Sequence, residues 1–337
     1  PMIPAPQPST TPGRVRIARE PVSPAADRLR IGTRGSALAV TQTTTVAQQV
    51  ADATGLEIVL VIIKTKGDVS RESLAQLGGT GVFVSALRDA LLANECDFAV
   101  HSLKDLPTGE HPGITLGAIP ERVDARDALC ARDGLTLDQL PAGARVGTGS
   151  PRRAAQILAR RADLEVLDLR GNVDTRLARV GVDLDAVVLA AAGLQRLGRL
   201  DVVTERFGLD EAPTAPGQGA LAVEVRASTS AMEPYATALG ALDDPATRAC
   251  ALAERSLLAA LEAGCAAPIG AHAHLENGKL HLRASVYRLD GSEQLTETAK
   301  LPWSKERDDV PALLGQRVCE ALLARGAERL APLRGAR

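Results

Sequence analysis

Apolar positions along the chain follow two regimes. In the first two thirds, short apolar runs alternate with longer stretches of helical period. Leu29-Arg30-Ile31 reads as a strand. The polar turn Thr33-Arg34-Gly35-Ser36 follows, then a helical stretch ending at Gly55. Glu57 to Ile63 is nearly all apolar, as in a strand covered on both faces. A Gly-rich turn at Gly78–Gly81 precedes a helix over about Phe83 to Ala93. Phe98-Ala99-Val100 is a further strand, running into His101-Ser102-Leu103-Lys104-Asp105. A second unit repeats the plan. Ala144-Arg145-Val146 is a strand, Gly147–Ser150 a turn, and Pro151 opens a helix with Ser150 as N-cap. Strands follow at Leu164–Leu169, ending at Arg170-Gly171-Asn172, and at Ala186–Ala192, ending near Arg196.

The last third differs. Ile269–Leu275, Leu280–Leu289 and Gln294–Ala299 are separated by Asn277-Gly278 and Asp290-Gly291, dipeptides that favour tight hairpins. Helical stretches flank this meander at about Pro245–Ala263 and Ala312–Arg325, the latter with Leu314, Val318 and Leu322 at helical spacing. The expected fold is α/β with three domains: two doubly wound lobes with mainly parallel sheets, and a small α+β domain with a three-stranded antiparallel sheet. The boundaries read as a disordered Pro/Ser/Thr-rich tail at 1–27, domain 1 at 28–121 and 217–240, domain 2 at 122–216, and domain 3 at 241–337.

Aromatics are only 2% of the 337 residues, so the cores must be built from Leu, Val, Ile and Ala. A net charge of −2 gives no bulk attraction to nucleic acid, and any anion site must be a local cluster of arginines. Five cysteines without paired or CxxC spacing argue against a disulfide framework and point to a reducing, cytoplasmic setting. No apolar run reaches transmembrane length, and no apolar leader opens the sequence. The five histidines lack ligand spacing, so no metal site is expected; His101 is read as supporting the Lys104 turn.

Three constellations carry chemistry. Arg30, Arg34, Arg152, Arg153, Arg170, Arg176 and Arg196 fall at strand ends, where α/β folds collect ligands. Guanidinium forks match carboxylates, and the helix N-termini at Ser36 and Ser150 add N–H donors. A single such arginine is as easily an ordinary salt-bridge partner; their recurrence at strand ends points to a polyanion. Asp105 after a buried strand suits acid–base work, although Asp before Leu-Pro often only caps a turn. Cys265, in a loop between helix and strand, is accessible chemistry or a small buried residue. No His lies near it in sequence, so a Cys–His hydrolase is unsupported.

Taken together and in order, these stretches resemble the porphobilinogen deaminases (hydroxymethylbilane synthases) over roughly Leu29 to Leu322. The resemblance rests on Arg30–Ser36, Ala99–Pro107, Val146–Arg153, Arg170–Arg176, Ala191–Gly198, Pro216–Ala220, Ala253-Glu254-Arg255 and Gly264-Cys265 with Pro268-Ile269-Gly270. It implies three domains, the first two like periplasmic anion-binding lobes. It implies a transferase that joins four porphobilinogen molecules head to tail, with loss of ammonia, on a dipyrromethane cofactor in thioether linkage to Cys265. Linear hydroxymethylbilane is then released by hydrolysis, a step of tetrapyrrole (haem) biosynthesis.

By the same resemblance Asp105 is the catalytic acid/base. Asp105, Lys104, Ser102, Thr148, Ser150, Arg152, Arg153 and Arg170 hold the cofactor. Arg30, Arg34, Ser36, Arg170, Asn172, Arg176, Arg196 and Gln218 bind or position substrate. The family further suggests a monomer, free of nucleic acid and membrane, that hands its product to uroporphyrinogen-III synthase. The sequence departs from the family's habits at Gln76, Thr80, Gly149 and Pro151. The competing readings are a non-catalytic two-lobed anion-binding protein and an inactive paralogue.

Overall fold

The computed structural model describes residues 14–64, 81–261, 267–331 and 333. The Gly78–Gly81 turn up to residue 80, with Gln76 and Thr80, and the Cys265 loop (262–266) lie outside these residues. The chain forms two compact units: its described part up to Glu121 with Leu221–Asp244, and Arg122–Ala220 with Pro245 onward.

The first unit holds a six-stranded sheet in the order β1-β3-β2-β4-β11-β5. β1 (Val15–Ala18), β2 (Arg28–Thr33), β3 (Glu57–Ile62) and β4 (Phe98–Ser102) are parallel. β11 (Leu221–Arg226) runs antiparallel to β4 and to β5 (Ile114–Ala118). The unbroken apolar run of β3 is explained by cover on both faces. Ile58 and Leu60 pack in one cluster with α1 (Ala37–Thr54) and α6 (Tyr235–Leu242), and Val59 and Val61 pack against α2 (Gly81–Leu92). The expected tail at 1–27 is corrected: Val15–Ala18 pairs with Ile58–Val61, and Arg16 donates to Glu57 at 2.8 Å. Four residues of edge strand carry too little periodicity to stand out from their Pro/Ser-rich surroundings.

The second unit contains a five-stranded sheet, β10-β6-β9-β7-β8. β7 (Arg145–Gly147), β8 (Glu165–Leu167) and β9 (Ala186–Ala190) are parallel; β6 (Asp127–Ala131) and β10 (Glu205–Arg206) are antiparallel additions. Helices α3 (Pro151–Arg160), α4 (Val173–Leu177) and α5 (Ala191–Arg196) follow β7, β8 and β9. The same unit holds the antiparallel meander β12 (Ile269–Glu276), β13 (Lys279–Tyr287) and β14 (Gln294–Pro302), packed on α7 (Pro245–Ala260) and α8 (Val310–Ala324). The β12–β13 turn is Asn277-Gly278, with φ of 50° and 71°, conformations that Asn and Gly tolerate best. Leu314, Val318 and Leu322 all lie in this core. β12 is seated on the Pro213–Thr214 segment: the Ala271 N–H donates to the Thr214 carbonyl at 2.8 Å. A Cβ on Gly270 would stand 2.1 Å from the Pro213 carbonyl oxygen, so only glycine fits there.

Candidate active site

In the first unit β2 and β4 are parallel neighbours, with Ile31 opposite Phe98 and Gly32 opposite Ala99. Their carboxyl ends emerge at one edge, the place where such sheets present ligand groups. The β2 end leads to Arg34 and Ser36. Ser36 Oγ accepts the Ala39 N–H and caps α1. The Arg34 guanidinium lies 3.4 Å from the centre of the Phe83 ring, a cation–π contact that fixes its position.

The β4 end leads to Ser102, whose Oγ accepts from Gln42 Nε2 at 3.2 Å, and to a 3-10 turn, Leu103–Asp105. Leu103 is fully buried and anchors this turn, leaving Lys104 and Asp105 half-buried. Among the described residues nothing hydrogen-bonds to the Asp105 carboxylate and no cation pairs with it.

Two expectations at this edge are corrected. Arg30 is 1% exposed and fully engaged inside the unit. It pairs with Asp97 at 2.9 Å and donates to the Val22 and Asn94 carbonyls, so it is a core residue and not a substrate contact. Burial works against ionisation of Asp97, but the Arg30 hydrogen bonds outweigh it and hold the carboxyl below its usual range. His101 does not serve the Lys104 turn; its Nε2 meets Glu224 at 3.1 Å, beside the Arg88–Glu224 pair at 2.7 Å.

The second unit presents a matching edge. β7, β8 and β9 are parallel, so Thr148–Ser150, Asp168–Asn172 and Ala191–Arg196 share one side of the sheet. Ser150 Oγ accepts the Arg153 N–H and caps α3, with Pro151 in the first turn, as the sequence predicts. The departure at Gly149 has a local reason: a Cβ there would lie 2.6 Å from the Leu169 carbonyl oxygen. Thr148 Oγ1 accepts the Ser150 N–H and is buried. Asn172 Oδ1 accepts the Thr175 N–H at 2.8 Å as the N-cap of α4.

Arg152 and Arg153 are buried and turned onto Asp127, at 2.7 and 2.8 Å, rather than presented as open forks. Gln218, 1% exposed, donates to the Asp127 carboxylate and the Ala125 carbonyl and accepts from Arg153. It is corrected from a substrate contact to a member of this buried network. Asp127 is fully desolvated, yet the two guanidiniums pull its carboxyl far below the usual carboxylate range. Sequence reading missed Asp127. The available signal was an acid opening an otherwise apolar strand, Asp127-Ala128-Leu129-Cys130, in a chain that also carries an Arg-Arg pair.

The remaining arginines are in cationic surplus. Arg170 is mostly exposed and pairs with Asp168 at 3.0 Å. Arg176 and Arg196 make no ion pair with any described carboxylate; their hydrogen bonds go to the Gly171 and Gly219 carbonyls. Burial, then the charges of Arg153 and Arg170, draw the Arg176 pKa down, and burial brings Arg196 to about 10. Guanidiniums strained in this sense gain from an incoming anion. Cys96, Cys130, Cys250 and Cys319 are all buried, and burial pushes the Cys96 and Cys130 thiols up to about 12 and about 11. None of these four suits covalent attachment.

Fold and edge chemistry define the class: an α/β protein with arginines and helix caps at strand ends and a carboxylate at one of them that no described residue holds. Comparison with known families narrows this. The family model described as "Porphobilinogen deaminase, dipyromethane cofactor binding domain" matches residues 29–234, and "Porphobilinogen deaminase, C-terminal domain" matches residues 248–324. The chain is 60% identical to the porphobilinogen deaminase of Leifsonia xyli subsp. xyli, over 92% of this chain and 96% of that protein. It is 53% identical to porphobilinogen deaminase 1 of Streptomyces coelicolor (90% and 97%) and 52% identical to the porphobilinogen deaminase of Thermobifida fusca (89% and 95%). The chain belongs to the porphobilinogen deaminase family and carries that family's dipyrromethane-cofactor-binding domain.

Proposed function

We propose that this chain is a transferase of hydroxymethylbilane synthase type. It joins four porphobilinogen molecules head to tail, releasing one ammonia per ring added, and frees the linear product by hydrolysis. The observation that carries this reading is Asp105, a half-buried carboxylate with no partner among the described residues. Such a group is available to accept a pyrrole N–H, to neutralise the positive charge that grows as ammonia leaves, and to take up or return a proton. Lys104 precedes it in the same 3-10 turn, and Ser102, set by Gln42, adds a hydroxyl.

The dipyrromethane fits the donor set, and when bound it supplies an unsubstituted pyrrole carbon as the first acceptor. Cys265 is assigned its thioether, since the four other cysteines are buried. Each porphobilinogen brings two carboxylates, and a near-neutral chain can hold a growing set only through local cations. Arg34, Ser36, Thr148, Ser150, Arg170, Asn172, Arg176 and Arg196 are assigned to those carboxylates. Arg152 and Arg153, held by Asp127, support the edge from behind and add to its positive field. A monomeric cytoplasmic enzyme that passes its product to a uroporphyrinogen-III synthase fits this chemistry. No described helix is long and apolar enough to cross a membrane.

The test is the intact mass of the purified protein together with ammonia release from porphobilinogen. We expect a covalent excess of two pyrrole units that maps to the Cys265 peptide and is absent from Cys265→Ala. A mass equal to the bare chain, without ammonia release, would overturn this reading and leave those of a non-catalytic anion binder and an inactive paralogue.

A further inference from the structure

The spacing of the histidines along the chain suggests no metal site, but the hairpin at Asn277-Gly278 brings three of the five onto one sheet face. β12 alternates: Ala271, Ala273 and Leu275 pack on the core, His274 and Glu276 are exposed, and His272 is partly buried, with Nδ1 3.7 Å from Glu254. In the β12–β13 register His274 stands directly opposite His281. The two rings lie nearly parallel, 18° apart, with centres separated by 4.9 Å. Glu276 Oε2 is 4.0 Å from His281 Nε2. One ligand atom from each of His274, Glu276 and His281 lies within 4.8 Å of the others.

We propose that His274, Glu276 and His281 form a surface site for a divalent transition metal, with zinc as the fitting ion. Two imidazoles and one carboxylate match the donor preferences of zinc and leave room for water as a fourth ligand. Magnesium and calcium, which prefer all-oxygen shells, are excluded by the same donor set. A closing movement of the side chains brings the donors to bonding distance of a common ion, and the paired strands hold their backbones in place. The carboxylate supplies the anion that this otherwise basic face lacks, since Lys279 lies opposite Glu276 and Lys300 opposite His281. The site depends only on residues of the β12–β13 hairpin and is independent of the assignment of Asp105 and Cys265.

Zinc chloride titrated calorimetrically into the full-length cofactor-loaded protein should show one site per chain, and magnesium chloride none. His274→Asn and His281→Asn should each weaken zinc binding by at least about tenfold. Both side chains lie on the outer face of the sheet, so circular dichroism should be unchanged. Zinc should also raise the melting temperature of the parent protein and not that of His281→Asn. In NMR spectra the imidazole resonances of His274 and His281 should move with zinc while those of buried His101 stay in place. Absence of zinc binding by the parent protein, or equal binding by both histidine variants, overturns the proposal.

Discussion

A carboxylate that no described neighbour holds contributes little to the folded state. Asp105 therefore separates activity from stability. Asp105→Asn keeps shape and removes charge, so unfolding free energy should stay within about 0.5 kcal/mol of the parent, as for sites without contacts. Turnover of porphobilinogen should fall by about 100-fold or more, the usual scale for a lost acid–base group. Near-normal turnover in a folded Asp105→Asn protein would remove the proposed role. Other charged residues show why single positions mislead. Arg30 and Arg34 are four residues apart, yet one is locked to Asp97 in the core and the other lies on Phe83 at the sheet edge. What distinguishes them is Asp97, 67 residues further along the chain, and sequence order does not reveal that pairing.

Elements were more legible than side-chain partners. The caps at Ser36 and Ser150, the stop at Gly55 and the Asn277-Gly278 turn all act locally, through hydrogen bonds and φ values within a few residues. Strands β5, β6, β10 and β11 escaped the reading because they are short or interrupted. β11 carries Glu224 within Leu221–Arg226, and its counter-ion Arg88 is 136 residues distant. The same limit hid the role of Glu254. This wholly buried acid on α7 accepts the N–H groups of Gly217 and Ala273, each at 2.7 Å, and pairs with Arg122 at 2.7 Å. It ties Gly217 to Ala273 of β12. Glu254→Ala leaves a buried guanidinium and two N–H donors unmatched. The expected cost is about 3–5 kcal/mol, read as a lower midpoint in urea. A midpoint unchanged from the parent would show that Arg122 finds another partner and that Glu254 is not the tie.

At the scale of the molecule, near-neutral net charge conceals a set of buried ion pairs that govern its response to acid. Asp97, Asp127 and Glu224 each lie in the interior against arginine, and each titrates below its ordinary range. For Glu224, burial opposes ionisation, but hydrogen bonds from His101 and Arg88 and their charges prevail and draw the pKa down to about 2. Unfolded, the same group titrates at about 4.3. The native state thus binds fewer protons than the unfolded chain across this interval, and stability must fall as pH falls. The contribution is complete above the unfolded value and is shed as pH drops toward the folded one. Chemical denaturation at a series of pH values from 7 to 3 should show a flat region near neutrality and a steep acid limb below about 4.5. Glu224→Gln should be less stable at neutral pH, because Arg88 loses its counter-ion. It should also show a shallower acid limb, because one of these three buried carboxylates no longer takes up a proton on unfolding. The depth of that limb, not the neutral-pH loss alone, is the decisive reading: a variant weakened at pH 7 yet as acid-sensitive as the parent would mean that Glu224 packs as a polar core residue without acting as a linked charge.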